Sequence, residues 1–143
     1  MGAPELTSEE LDFLRGMFDL AREGRTDELA EHLDSGLPVN LTNSAGDTLL
    51  VLAAYHRRPG TVSMLLARGA DHSRVNDRGQ TALGAAVFRQ DPAGVRALLA
   101  AGADPGAGGR SARQVAAFFG LPEMARLLDG EPDRAADVGP DDA

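Results

Sequence analysis

The sequence contains no cysteine, no tryptophan and no lysine, and only six of its 143 residues are aromatic. Without cysteine, the chain can form neither a disulfide framework nor a thiolate site. No apolar run approaches the length of a membrane span, and the first residues lack the basic-then-apolar pattern of a secretory signal. We therefore expect a cytoplasmic protein. All 14 cations are arginine, which with abundant alanine and glycine suggests a GC-rich bacterial genome.

The charge and the polar residues exclude several classes of function. The formal net charge is −8, so we expect no binding to nucleic acid or to anionic membranes. His32, His56 and His72 show no metal-ligand spacing, no motif frames a nucleophilic serine, and no lysine follows the glycines of residues 105–110 as in a phosphate-binding loop. We therefore expect no metal, no cofactor, no catalytic residue and no enzymatic activity.

The segment at residues 43–75 is repeated in register from residue 76 onward, and a tandem repeat of this length is typical of a solenoid. The residues that recur in register include Asn43 and Asn76, Gly46 and Gly79, Thr48 and Thr81, Leu50 and Leu83, Pro59 and Pro92, Leu65 and Leu98, Leu66 and Leu99, Gly69 and Gly102, and Asp71 and Asp104.

Each copy has the local signals of a turn followed by two helices. Thr48 is placed to cap a first helix, Pro59 to begin a second, and Gly69 to end it in a left-handed conformation. Leu66 and Leu99 fall on the apolar stripe of the second helix. We expect truncation of either leucine to alanine to cost roughly 2–5 kcal/mol, as in other cores.

These motifs resemble the ankyrin-repeat family. The family's pattern of G-x-T-x-L, a pair of small residues, and an apolar pair followed by G-A-D is present at residues 46–50, 53–54 and 65–71, and again at 79–83, 86–87 and 98–104. The resemblance implies an all-α solenoid of helix-turn-helix units joined by short hairpin loops. It also implies that function is the recognition of another protein.

Four units fit the chain, with degenerate first and last units acting as caps. We predict a flexible lead over residues 1–6, an ankyrin-repeat domain over 7–130 with approximate repeats 7–42, 43–75, 76–105 and 106–130, and an acidic disordered tail over 131–143. Thr7 and Glu10 form a predicted capping box, and Arg15 occupies the threonine position of the first unit. The glycine-rich residues 105–110 predict a loose or absent hairpin.

In the family, partners are recognised by the hairpin tips and by the exposed side of each first helix, which together form a concave face. Four of the six aromatic residues occupy these first-helix positions. The candidate partner-binding residues are Ser44, Asp47, Tyr55, His56, Asp77, Arg78, Gln80, Phe88, Arg89, Phe118 and Phe119.

Two interpretations of the rings remain open. Tyr55, Phe88 and Phe118 could form a strip that docks a protein, since aromatic residues are prominent in binding hot spots. Alternatively, the same rings could pack on each other between repeats and close the core. On the first interpretation, Tyr55→Ala or Phe88→Ala leaves stability close to unchanged. Arg57, Arg58, Arg78 and Arg89 likewise either face an acidic partner or form an ordinary solvated face.

We therefore predict a non-enzymatic protein-protein interaction module that binds a protein partner through its concave face, as a monomer or a weak homodimer. Three alternatives stay open. They are an assembly or stabilising factor for a cellular enzyme, an acidic inhibitor of a nucleic-acid-binding protein, and a metal-dependent hydrolase whose site the sequence does not reveal.

Overall fold

The structure, a computed structural model, describes residues 5–130, and eight α-helices form its regular secondary structure. The predictions for residues 1–4 of the lead and for the tail at 131–143 lie outside the described residues. The helices are α1 (Ser8–Glu23), α2 (Thr26–Asp34), α3 (Leu49–Tyr55), α4 (Pro59–Ala67), α5 (Ala82–Phe88), α6 (Pro92–Ala100), α7 (Ala112–Phe118) and α8 (Pro122–Leu128).

Local signals fix where these helices begin. The hydroxyls of Thr48 and Thr81 accept hydrogen bonds from the backbone N–H groups of Val51 and Gly84, each at 3.1 Å. These bonds satisfy amides that the first turn of a helix would otherwise leave unpaired. Thr7 and Ser111 form complete capping boxes at the starts of α1 and α7. A proline occupies the first turn of α4, α6 and α8, as the spacing predicts.

The first unit departs from its simple register. Arg15 corresponds to the capping threonines by counting, yet α1 runs without interruption from Ser8 to Glu23. The helix is capped at Thr7, so the helix that begins there and the inner helix of the first unit are the same element, α1. The long α1 covers the N-terminal end of the stack.

The helices pack as two parallel layers. The inner helices α1, α3, α5 and α7 each contact the next, and so do the outer helices α2, α4, α6 and α8. Within each unit the inner helix also packs on the outer helix that follows it. Every unit thus buries its apolar faces against its neighbours, which is the architecture of a solenoid.

The core lies between the two layers. Leu65 and Leu98 are completely buried in α4 and α6, whereas Leu66 and Leu99 are only partly buried and pack against the edge of the core. Leu66 and Leu99 therefore pack against the core as the apolar stripe predicts, but they are less buried than the leucines that precede them. The first leucine of each pair turns toward the inner helices, and the second lies at the margin.

Asparagine side chains organise the hairpins. Asn43 Oδ1 accepts from the N–H groups of Ala45 and Asp47, both at 3.0 Å. Asn76 repeats this arrangement one unit later. The hairpins are also joined, since the N–H of Asp77 donates to the carbonyl of Ala45 at 3.0 Å. The tips therefore stand in a fixed row along the solenoid.

The glycine-rich link before α7 is attached to the preceding hairpin. The N–H of Arg110 donates to the carbonyl of Gly79 at 3.0 Å, and Arg110 forms an isolated parallel bridge with Gln80. Gly108 has a positive φ of 91°, and a Cβ there would lie only 3.0 Å from the Gly79 oxygen. Glycine is thus required where the shortened link crosses the hairpin.

Candidate partner-binding surface

Four aromatic side chains form a continuous row across three units. Tyr55 at the end of α3 stacks on Phe88 of α5, with ring centroids 6.2 Å apart and an interplanar angle of 11°. Phe88 meets Phe119 edge-on at 5.2 Å, and Phe119 meets Phe118 edge-on at 4.9 Å. Such offset and edge-on geometries are the preferred ones for aromatic pairs. We call these four residues the aromatic row.

The aromatic row is packed and exposed at once. Phe88, Phe119 and Phe118 are 39%, 52% and 83% exposed, and Tyr55 is partly buried. The two interpretations left open by the sequence therefore both describe the row, because the rings contact each other along an edge that faces solvent. The order differs from the predicted strip in one respect, since Phe119 and not Phe118 contacts Phe88.

Guanidinium groups surround the Tyr55 end of the row. Arg89 lies over the Tyr55 ring, with its Cζ 5.2 Å from the ring centroid. Arg58 Nε donates to the carbonyl of Arg22 at 2.9 Å, which fixes the turn after α3 against the end of α1. The His56 ring packs edge-on against Tyr55. The turn between α3 and α4 therefore carries several cationic groups close to the row.

The same groups act on His56 electrostatically. Burial lowers the pKa of His56 below its usual value of 6.5, and the positive charges of Arg22, Arg89 and Arg58 lower it further. The neutral imidazole is thus favoured over the imidazolium. His56 consequently adds a ring and a polar nitrogen to this part of the surface at neutral pH, without adding a further charge.

The hairpin residues on the predicted list fall into two groups. Ser44, Asp77 and Arg78 are exposed at the tips. Asp47 is only 6% exposed, and its carboxylate accepts from Asn76 Nδ2 at 2.8 Å. Gln80 is partly buried, and its side-chain oxygen accepts from the same Asn76 amide at 3.0 Å. The bond between Asp47 and Asn76 therefore joins one hairpin to the next, whereas the bond between Gln80 and Asn76 lies within a single hairpin.

A groove continues the row at the C-terminal end. It has a volume of about 370 Å³ and is lined by Gly109, Arg110, Gln114, Val115, Phe118 and Phe119. Arg110, Gln114 and Val115 were not predicted as site residues. A signal was present, because Arg110 precedes Ser111 just as Gln80 precedes Thr81. The glycine-rich residues 105–110 predict a loose or absent hairpin, however, so no binding residue was assigned there.

Residues 5–130 show no sign of two other kinds of site. No cluster of three histidine or acidic side chains in this part of the chain is arranged to hold a metal ion. None of the eight helices combines the length and the apolar character needed to cross a bilayer.

Two layers of short stacked helices joined by linked hairpins define a helical repeat protein, and its most distinctive surface is the aromatic row with its arginines. Residues 17–108 match the family model described as ankyrin repeats (3 copies). The chain belongs to the ankyrin-repeat family.

A similar protein is "Putative ankyrin repeat protein PA3287" of Pseudomonas aeruginosa. The two are 48% identical over 61 residues, which are 43% of this chain and 36% of the relative. The chain thus aligns with little more than a third of that protein's length. Ankyrin repeats are generally protein-interaction modules, and the family is typically non-enzymatic.

Proposed function

We propose that this protein is a non-enzymatic binding module that recognises a protein partner through the surface carrying the aromatic row. This surface corresponds to the concave face of the family, formed by the exposed sides of α3, α5 and α7 and by the hairpin tips. The observation that carries the proposal is the continuity of four rings, from Tyr55 to Phe118, along an edge that faces solvent.

The exposure of the aromatic rings supports a role in binding. Large contiguous apolar patches are uncommon on soluble monomers and mark interaction surfaces. Phe118 is 83% exposed, so its burial by its own chain contributes little to folding. A partner that covers Phe118 removes its apolar surface from water, and this burial contributes favourable free energy to binding. Aromatic and arginine side chains are also the residue types most enriched in binding hot spots.

The surface is already formed in the free protein. The helices that carry the rings begin at side-chain caps on Thr48, Thr81 and Ser111. Phe88 and Phe119 each contact two other rings, so these two side chains lose less entropy on binding than isolated ones. A preformed aromatic edge of this kind suits the recognition of a partner.

The experiment is an affinity capture from a lysate of the organism that encodes the protein, followed by titration of the purified partner. The double variant Phe118→Ala/Phe119→Ala removes the most exposed rings. Phe13→Ala is the matched control, because Phe13 is 47% exposed and its ring contacts His32 of α2, outside the row.

We expect the wild type and the Phe13→Ala protein to retain the same partner, and the double variant to lose it while keeping its helical circular dichroism. Equal retention by all three proteins would show that binding does not use the aromatic row. Loss of binding with Phe13→Ala alone would place the site on the N-terminal units.

A further inference from the structure

We infer that the partner segment bound by this surface is an acidic peptide that places one large apolar side chain in the groove beside Phe118 and Phe119. This inference rests on the proposed function, and it assigns the chemistry of the partner. Two observations carry it, namely the distribution of paired and unpaired arginines and the lining of the groove.

Most arginines of the described chain are already matched to acids. Those that form ion pairs there with aspartate or glutamate include Arg15, Arg22, Arg25, Arg68, Arg74, Arg113 and Arg126. In a chain with a net charge of −8, acids are abundant enough to pair with every cation. An arginine without a carboxylate partner therefore does not reflect a shortage of acids in the chain.

Within residues 5–130, five arginines have no carboxylate within ion-pair distance, and all five lie in hairpins, helix ends or turns adjacent to α3, α5 or α7. Arg57 and Arg58 lie in the turn after α3, and Arg89 ends α5. Arg78 is at a hairpin tip, and Arg110 immediately precedes the cap of α7. Asp77, exposed beside Arg78, offsets part of this charge. The balance still makes this face the cationic part of an acidic molecule.

The groove adds an apolar position to this cationic face. Phe118, Phe119 and Val115 form its apolar part, whereas Arg110 and Gln114 are its polar residues. Its volume of about 370 Å³ is at the lower end of the roughly 300–1,000 Å³ typical of small-molecule pockets. It suits one large side chain better than an independent ligand, and Arg110 is placed to meet a carboxylate next to that side chain.

Charge and apolar contact have separate tasks in this arrangement. Complementary charge mostly raises the rate of encounter and selects the partner, while the buried apolar anchor slows dissociation. Neighbouring helices pack about 10 Å apart and an extended chain rises about 3.3 Å per residue, so about ten residues would cross α3, α5 and α7. The partner segment is thus short.

The test uses three fluorescein-labelled peptides of about 12 residues, a length set by that span. The first has a central tryptophan flanked by aspartate and glutamate. The second keeps the tryptophan and replaces the acids with asparagine and glutamine. The third keeps the acids and replaces the tryptophan with alanine. Fluorescence anisotropy measures the Kd of each peptide for the full chain at about 50 mM and about 500 mM NaCl, which shortens the screening length severalfold.

We expect the acidic tryptophan peptide to bind at least about tenfold more tightly than either of the others at low salt, and to weaken at high salt. Arg89→Gln and Arg110→Gln should each weaken it about 2- to 5-fold, the range for partly exposed charge pairs. Arg15→Gln is the control, because it removes an equal charge from α1, where Arg15 is paired with Asp12 at 3.0 Å. It should leave the Kd unchanged.

Several results would overturn the inference. These are no detectable binding of the acidic tryptophan peptide, equal binding of the amide peptide, or equal losses from the Arg15→Gln control. If a chain truncated after Gly130 binds the peptide more than about tenfold more tightly than the full chain, the occupant is its own residues 131–143 and not a separate partner. A homodimer that Phe118→Ala disperses in sedimentation would identify a second copy instead.

Failure here is distinguishable from failure of the proposed function. If a captured partner is lost with Phe118→Ala/Phe119→Ala but binds Arg89→Gln and Arg110→Gln normally, protein binding by the aromatic row stands and the acidic chemistry is wrong. If the aromatic double variant retains every partner, the proposed function itself is wrong.

Discussion

Two substitutions in the aromatic row should separate stability from binding. Phe118→Ala removes a ring that is 83% exposed, and Phe88→Ala removes one that is 39% exposed and contacts rings on both sides. Full burial of a phenylalanine side chain stabilises a protein by about 1.5–3 kcal/mol. Scaled by the buried fraction, the cost is about 0.5 kcal/mol or less for Phe118 and about 1–2 kcal/mol for Phe88.

Ring contacts widen the difference. An aromatic pair contributes about 0.5–1.5 kcal/mol beyond its buried area, and Phe88 forms two such pairs in the interior of the row. Phe118 forms one such pair, with Phe119. Alanine's higher helix propensity returns a few tenths of a kcal/mol at either site. We therefore expect Phe88→Ala to destabilise by about 1.5–4 kcal/mol and Phe118→Ala by about 0.5–1.5 kcal/mol. Stability close to unchanged, which the sequence alone predicts for Phe88→Ala, no longer fits its packing.

The assay is urea unfolding followed by far-ultraviolet circular dichroism, with the slope of each transition compared among variants, since repeat arrays can lose two-state behaviour. Partner affinity is measured on the same samples, where loss of Phe118 should cost about 2 kcal/mol or more if it is a hot spot. A destabilisation by Phe118→Ala as large as that by Phe88→Ala would refute the reasoning, because exposure would then fail to rank the rings.

Three further predictions concern the framework. Leu98→Ala should destabilise by about 3–5 kcal/mol and Leu99→Ala by about half as much, since only Leu98 is completely buried; equal losses in urea unfolding would contradict the assigned faces of α6. Thr81→Ala should cost about 1 kcal/mol, because the N–H of Gly84 loses its acceptor, whereas Thr81→Ser should retain most of the stability. Burial and then nearby guanidinium groups lower the pKa of His56 from 6.5, so its contribution to stability is fully present above about pH 6.5 and is lost as pH falls toward the folded pKa. His56→Asn should therefore flatten the dependence of unfolding free energy on pH just below 6.5, by at most about 1.4 kcal/mol per pH unit, and an unchanged slope would exclude this role.

Local signals predicted much of the fold. The caps at Thr48 and Thr81, the prolines that begin α4 and α6, and the left-handed glycines that follow the outer helices each depend on interactions within a few residues of one another. The family match over residues 17–108 confirms the ankyrin-repeat assignment that those signals supported. None of these signals depends on contacts between residues distant in the sequence.

Features that depend on contacts between neighbouring units were harder to predict from the sequence. Asp47 was placed at an exposed tip by counting, but its carboxylate is used by Asn76, which lies 29 residues away. Counting also placed Phe118 after Phe88 in the strip, whereas Phe119 is the ring that contacts Phe88. Such details depend on how adjacent units are rotated, which a single repeat does not encode.

The turns between inner and outer helices illustrate the same limit. Gly24, Arg57, Gln90 and Gly120 hold equivalent turn positions, and all have positive φ, with 57° for Arg57 and 53° for Gln90. In the first and last units, the glycine at this position predicts a left-handed turn from the sequence. In the two central units, arginine and glutamine give no such signal. The packed units on either side impose the conformation there.

The two central copies themselves distinguish the framework from the binding surface. Positions that cap helices or fill the core are identical or similar in the two copies, as in Thr48 and Thr81 or Leu65 and Leu98. Positions on the proposed surface differ, as where His56 in one copy corresponds to Arg89 in the next. Because both copies fold to the same helical pair, the repeat's own stability does not dictate which side chains the surface carries. Under the proposed function, selection by a partner sets those side chains, and the arginines among them indicate the charge that we propose for it.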